Sequence, residues 1–253
     1  TNFIQQDPVE GDPASEKTDA WIMFDDTNIY VSGRLWDSAP PSEWVMNEMR
    51  RDTAQLRDND TFWVAFDTFH DRRNAVAFYT NPLGAIGDFA ITNEGNPNTD
   101  WNPVWDVRTS RFDGGWSVEM EIPFKSLRYR IGPTQVWGVQ MRRNIRRKNE
   151  RTYLSAVPIS AGRSGIFRVS DSATMVGLHV PTGARNLEVK PYAIAGLLTD
   201  LTTSPMTRNV GDGNAGLDVK YGITQNLTAD FTYNTDFAQV EVDEQQVNLT
   251  RFS

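Results

Sequence analysis

Sugars present apolar C–H faces that lie flat on aromatic rings, while Asn, Asp, Arg and Glu side chains fix their hydroxyl groups. The stretch Asn96-Pro97-Asn98-Thr99-Asp100-Trp101-Asn102-Pro103-Val104-Trp105 sets two indoles in a polar, Asn-rich loop. Trp101 and Trp105 are therefore candidate saccharide platforms, with Arg73, Asn93 and Asp100 as their polar partners. The bland reading makes the same two rings a plug at the open end of a sandwich. Asp25, Asp58 and Asp60, like Asp26 and Asp67, lie in turns where carboxylate oxygens can hold calcium. Turn chemistry places Asp at such positions without a metal, and none has the spacing of an EF-hand loop. No organic cofactor is expected.

Catalysis finds fewer candidates. There is no cysteine, and the only histidines are His70 and His179. Neither stands near a serine in a nucleophile-elbow context, and a histidine-based zinc site lacks ligands. Glu119 and Glu121 share one face of a strand about 7 Å apart, a separation that suits inverting glycoside hydrolysis. Any solvent-facing strand with two acidic residues gives the same spacing. No catalytic residue is assigned, and a glycoside hydrolase stands as the enzymatic alternative. Arg142, Arg143, Arg146, Arg147, Lys148 and Arg151 form the one basic cluster. It reads as a solvated strand edge that resists pairing with other edges, or as a site for phosphate or lipid headgroups.

The elements that carry these residues are strands. Ile29, Val31 and Leu35 alternate with Tyr30, Ser32 and Arg34, the period of two of a half-buried strand. Phe62-Trp63-Val64-Ala65-Phe66 is apolar throughout, as in a strand covered on both faces. Trp63 and Trp137 sit inside strands and are core candidates. Arg111 to Trp116 carries a hairpin turn in which Gly114 and Gly115 can take positive φ. After it Val118, Met120 and Ile122 face one way and Ser117, Glu119 and Glu121 the other, until Pro123 ends the ladder. Val136 to Met141 is a further strand, and Pro41 to Leu56 holds one or two short helical turns. The fold class is all-β, an antiparallel, jelly-roll-like β-sandwich.

All eight tryptophans precede residue 140, and the texture changes near residue 180. Beyond it, Leu187, Val189, Ala193 and Ala195, then Leu217, Val219 and Tyr221, then Leu227, Ala229, Phe231 and Tyr233 alternate with polar residues. Strands apolar on one face, with Tyr near an end, are the pattern of an outer-membrane β-barrel, and equally of a soluble antiparallel sheet. Three strands cannot close a barrel, so on the barrel reading the chain is a fragment. The formal charge of −8 argues against a nucleic-acid partner, which needs a positive field. No apolar run reaches the roughly 20 residues of a membrane helix. With Thr1 at its start and no leader in view, the chain reads as a processed or truncated product.

Phe24 to Val31 and Gly114-Gly115-Trp116-Ser117-Val118-Glu119-Met120-Glu121-Ile122-Pro123-Phe124-Lys125-Ser126-Leu127 resemble the early strand and the Ile-Pro-Phe motif of family 9 carbohydrate-binding modules. The whole chain resembles a group of uncharacterised bacterial outer-membrane proteins that place such a module ahead of a β-barrel. Asp67 to Asn74, Tyr79 to Pro82, Arg146 to Glu150, Asp236 to Asp243 and Gln246 to Phe252 carry that closer match. The resemblance implies a module over residues 1–178 and the first strands of an incomplete barrel-like region over 184–253. It also implies a saccharide ligand gripped by tryptophan, structural calcium, and a place in the bacterial cell envelope, at the outer membrane, in the periplasm or on the surface. Members carry a further first strand and continue through more barrel, so both ends are expected to be cut. The function implied is non-catalytic saccharide binding, with a structural, assembly or plug-like role as the alternative.

Overall fold

The computed structural model describes residues 2–95, 97–130, 132, 134–181, 187–200, 202, 207–222 and 228–234. The chain divides into two units, Thr1–Ala184 and Arg185–Ser253.

The first unit is an antiparallel β-sandwich. Its strands are β1 (Ile4–Asp7), β2 (Thr18–Phe24), β3 (Asn28–Trp36), β4 (Thr61–Asp67), β5 (Ala75–Thr80), β6 (Gly87–Ile91), β7 (Pro97–Asn98), β8 (Asp106–Phe112), β9 (Gly115–Pro123), β10 (Thr134–Ile145), β11 (Glu150–Tyr153) and β12 (Ala173–His179). The smaller sheet runs β2-β3-β9-β8; the larger runs β1-β11-β10-β4-β5-β6-β7, with β12 also paired to β10. Period-two alternation decides what lies between them. Ile29, Val31 and Leu35 of β3 and Val118, Met120 and Ile122 of β9 point inward from the small sheet. Phe62, Val64 and Phe66 of β4, Phe78 of β5, and Trp137, Val139 and Met141 of β10 meet them from the large one. Burying side chains of this size contributes roughly 1.5–3 kcal/mol each, which is what holds the sheets face to face.

The large sheet is covered on its outer face as well. Trp63, Ala65, Ala77, Tyr79, Phe89 and Tyr153 form a second apolar cluster beneath Leu56, Val157, Ile166 and Val169. Leu56, Ile166 and Val169 come from irregular segments with 3₁₀ turns, Ala54–Asp58, Ile159–Phe167 and Val169–Asp171, and Val157 from just before the second. That is why Phe62 to Phe66 of β4 read as apolar without a break. The expected helical turns occur at Pro41–Glu43 and Ala54–Asp58. In the β8–β9 turn only Gly114 takes positive φ, at 88°. Gly115 is needed for another reason: a Cβ there would stand 2.2 Å from the Leu35 carbonyl oxygen of the neighbouring strand.

The second unit is a three-stranded antiparallel sheet of β13 (Leu187–Asp200), β14 (Thr207–Gly222) and β15 (Thr228–Tyr233), in that order. Its register sets Val189 opposite Val219 and Val219 opposite Phe231, so the alternating apolar residues share a face. Val189, Leu197, Phe231 and Tyr233 are exposed. β14 begins about ten residues before the run starting at Leu217, because Thr207–Gly216 is too rich in Gly and Asn to show alternation. The expected turn at 223–226, Leu227 and the motifs at 236–243 and 246–252 lie outside the described residues.

Candidate functional site

Strand β10 is the first surprise. Its sequence continues past Met141 to Ile145, so alternation puts Gln140, Arg142 and Asn144 on the outer face and Met141, Arg143 and Ile145 on the inner one. β4 flanks it on one side and β12 followed by β11 on the other. The basic cluster is therefore no strand edge. Arg142 and Arg143 are 4% and 2% exposed in the middle of a sheet.

On the outer face, register builds a ladder. Tyr153 of β11 lies opposite Arg142, Arg142 opposite Trp63 of β4, Trp63 opposite Tyr79 of β5, and Tyr79 opposite Gly87 of β6. The Arg142 guanidinium sits 3.7 Å from the centroid of the Trp63 ring. Tyr79 is stacked on that ring at 3.8 Å and 6°. Two flat groups this close to one centroid must occupy opposite faces, so Trp63 has no free face. Gly87 completes the ladder: a Cβ there would fall 2.2 Å from the Tyr79 ring. The Trp63 indole N–H donates to Thr61 Oγ1 at 2.7 Å, and Arg57 lies over Phe89.

Beside the ladder is a cavity of about 460 Å³, within the usual size of small-molecule sites. Arg142 and Trp63 line it together with Asn144, Arg151 and the covering residues Ile166 and Phe167. Arg57, Arg146 and Arg163 add three more guanidinium groups. The carboxylates are few. Asp58 at the rim is shared by Arg146 and Arg163, at 3.6 and 3.3 Å. Arg151 pairs with Asp7. Glu150 accepts the Ser15 backbone N–H at 2.9 Å. Arg142 Nη1 donates to the Arg163 carbonyl at 3.2 Å, but its Nε–H has no acceptor among the described residues. Arg151 Nη1 and Asn144 Oδ1 are likewise unpartnered there. Burial pushes the Arg142 pKa down against the pull of the Tyr153 hydroxyl beside it, and repulsion from Arg151 and Arg57 adds to the lowering.

The residues singled out from sequence have other surroundings. Trp105 is 6% exposed; its indole N–H donates to Asp88 Oδ2 at 2.9 Å and its ring stands edge-on to Phe78. The expectation of a stacking platform at Trp105 is corrected: the ring completes the core and its one polar atom is used by a buried acid. Burial raises the Asp88 pKa to about 6, although Trp105 and Arg51 both donate to the carboxylate. Trp101 is half-buried, with its ring edge-on to Phe78 as well. Arg73 and Asn93 are exposed in adjoining turns, where Arg73 O accepts the Glu94 N–H and Asn74 Oδ1 accepts the Asn93 N–H. Asp100 is exposed in its own turn. No contact among the described residues joins Arg73, Asn93 or Asp100 to the two indoles.

The calcium candidates do not fit a metal. Asp25 accepts from the backbone N–H groups of Thr27 and Asn28 and from the Thr27 and Tyr30 hydroxyls, and these bonds hold its pKa at about 2. Asp60 accepts the backbone N–H groups of Val45 and Arg146, and Asp58 pairs with arginines. Among the described residues no three His, Asp or Glu side chains gather as ligands would. Glu119 and Glu121 are exposed on the outer face of the small sheet, and neither lines the cavity.

Sequence reading missed the cavity because its walls meet only through register. The available signal was the alternation of β10 itself, which carries Arg142 to the face of Gln140 and Asn144.

Residues 184–253 match the sequence family described as a domain of unknown function (DUF5916). No curated protein sequence matches the chain. Among solved structures, a family 9 carbohydrate-binding module from Caldicellulosiruptor kristjanssonii, determined with cellotriose, aligns with a TM-score of 0.45 at 14% identity, covering 72% of this chain and 83% of that one. A protein from Bacteroides uniformis, provisionally described as carbohydrate-binding, aligns with a TM-score of 0.52 at 13% identity, covering 70% of this chain and 85% of that one. At that identity the second likeness is one of fold, and the fold it shares with this chain is an antiparallel β-sandwich.

Proposed function

We propose that the first unit is a non-catalytic saccharide-binding domain whose ligand enters the arginine-lined cavity on the outer face of the large sheet. The observation that carries this reading is the cavity: a concave site of ligand size, floored by β4, β10 and β11, closed by 3₁₀ segments and rimmed with hydrogen-bond donors. The named role of the Bacteroides uniformis protein of similar fold is in keeping with it. The Trp101–Trp105 loop takes a packing role, and with Trp63 covered on both faces the site works by hydrogen bonding rather than by ring stacking. The two carboxylates that line the cavity, Asp58 and Glu150, are held by Arg146 and Arg163 and by the Ser15 N–H, so the proposed role is retention of a sugar rather than its cleavage.

A glycan array spanning neutral and acidic structures tests the reading. The chain is expected to mark a subset of glycans, and the signal should fall in the Arg57→Ala protein. A blank array from folded protein overturns it. That result would favour the structural or assembly role, to which the burial of Trp105 lends support.

The second unit supplies the envelope context of this proposal. β13 and β14 span 14 and 16 residues, more than the roughly 9–11 a tilted barrel strand requires, and Val189, Leu197 and Leu217 on them are exposed. The native protein is expected to fractionate with the bacterial outer membrane; recovery in the cytosol would overturn this placement.

A further inference from the structure

Resting on that reading, we infer that the saccharide taken by the cavity is anionic, with a carboxylate, sulfate or phosphate substituent seated against Arg142 and Arg151. A neutral sugar offers hydroxyls that donate as well as accept, so its sites mix donors with acceptors. The unpartnered groups that line the cavity are chiefly donors, Arg142 Nε–H and Arg151 Nη1–H, with Asn144 Oδ1 as an acceptor for one sugar hydroxyl. An ionised carboxylate, sulfate or phosphate accepts only, which is what such a wall demands.

Charge points the same way. The chain as a whole carries a net charge of −8 with 25 basic residues. Five of its arginines line this one cavity against two carboxylates, Asp58, which pairs with Arg146 and Arg163, and Glu150, which accepts the Ser15 N–H; Asp7 pairs with Arg151. Arg142 is 96% buried by its exposure of 4%, and it makes no ion pair with a carboxylate among the described residues. A buried guanidinium left in this state is costly unless an anion completes it. Arg142 and Tyr79 cover both faces of Trp63, so that ring offers an uncharged sugar no platform.

Calorimetric titration of the 253-residue chain with matched pairs tests this. The probes are glucose, galactose and mannose, the three corresponding uronates, glucose 6-phosphate, glucose 6-sulfate and inorganic phosphate. At least one charged sugar is expected to bind tenfold or more tighter than its neutral partner, the factor expected from one charge-assisted hydrogen bond. That gap should close in Arg142→Met. Arg163→Ala, at the exposed rim where folding is not at risk, should weaken the charged sugar a few-fold. Equal binding of charged and neutral sugars overturns the inference and leaves saccharide binding intact. If inorganic phosphate binds as tightly as any charged sugar, the saccharide reading falls and the inference falls with it. Silence from every probe overturns both. The carboxylate, sulfate and phosphate arms separate the three sources of charge.

Discussion

Arg142 and Arg143 are neighbours in sequence, equally buried, and on opposite faces of the same strand, yet they are treated in opposite ways. Arg143 is surrounded by acceptors: the carbonyls of Lys17 and Trp36, the Thr18 hydroxyl and, at 3.5 Å, Asp37. Asp37 is in turn held by Arg147, which also pairs with Glu16. Burial lowers the Arg143 pKa to about 10 against the pull of Asp37, Asp60 and Glu16, so the group stays charged at neutral pH. Arg142 has one carbonyl, one aromatic face and no carboxylate. A buried charge that the chain itself completes is a structural tie between β10 and the β2–β3 hairpin. A buried charge that the chain leaves incomplete marks the place where something else is meant to bind.

Paired substitutions put that contrast at risk most directly. Arg143→Met takes the guanidinium donor from the Trp36 carbonyl and removes the cation from among Asp37, Asp60 and Glu16; it should cost about 3–5 kcal/mol in urea unfolding. Arg142→Met removes a charge without stranding a carboxylate. The methionine can still pack on Trp63, and relief of desolvation offsets the lost cation–aromatic contact, so the change should stay within about 1 kcal/mol. Equal losses at the two positions would break the comparison, since Arg142 would then be as structurally committed as Arg143.

Much of the sandwich is legible in the sequence. Alternation in β3 and β9 identifies their inward residues, and the unbroken apolar run of β4 announces its double burial. The site is not legible, for three physical reasons. Arg142 meets Trp63 through cross-strand register, and a shift of one residue would put them on different faces. The covering segment Ile159–Asp171 has no periodicity to betray that it roofs the sheet. Loop tryptophans read as exposed from their polar neighbours, yet Trp105 is drawn inward by Phe78 and by Asp88, one strand away in β6. The turn aspartates mislead likewise, because a carboxylate that caps backbone N–H groups looks in sequence like one waiting for a metal.

The smallest expected effect probes the completed side of the comparison through pH. Burial alone would raise the Glu16 pKa, but Lys148 at 2.6 Å, the Ser38 hydroxyl at 2.6 Å and Arg147 at 2.9 Å overcome it and hold the group at about 2, against an ordinary 4.5. The unfolded chain then binds a proton that the folded one refuses, so Glu16 contributes stability above pH 4.5 that is lost as pH falls toward 2. Asp88 runs the other way. Its value of about 6, above an ordinary 3.8, gives a contribution present below pH 3.8 and lost as pH rises through 6. Urea midpoints measured from pH 2 to 7 should therefore fall on the acid side less steeply in Glu16→Gln than in the parent, while the slope between pH 4.5 and 6 stays as it was. An unchanged acid limb would mean that the Glu16–Lys148–Arg147 cluster does not hold its charges in solution. The ties around Arg143 would then owe their strength to the backbone carbonyls of Lys17 and Trp36 rather than to ion pairing.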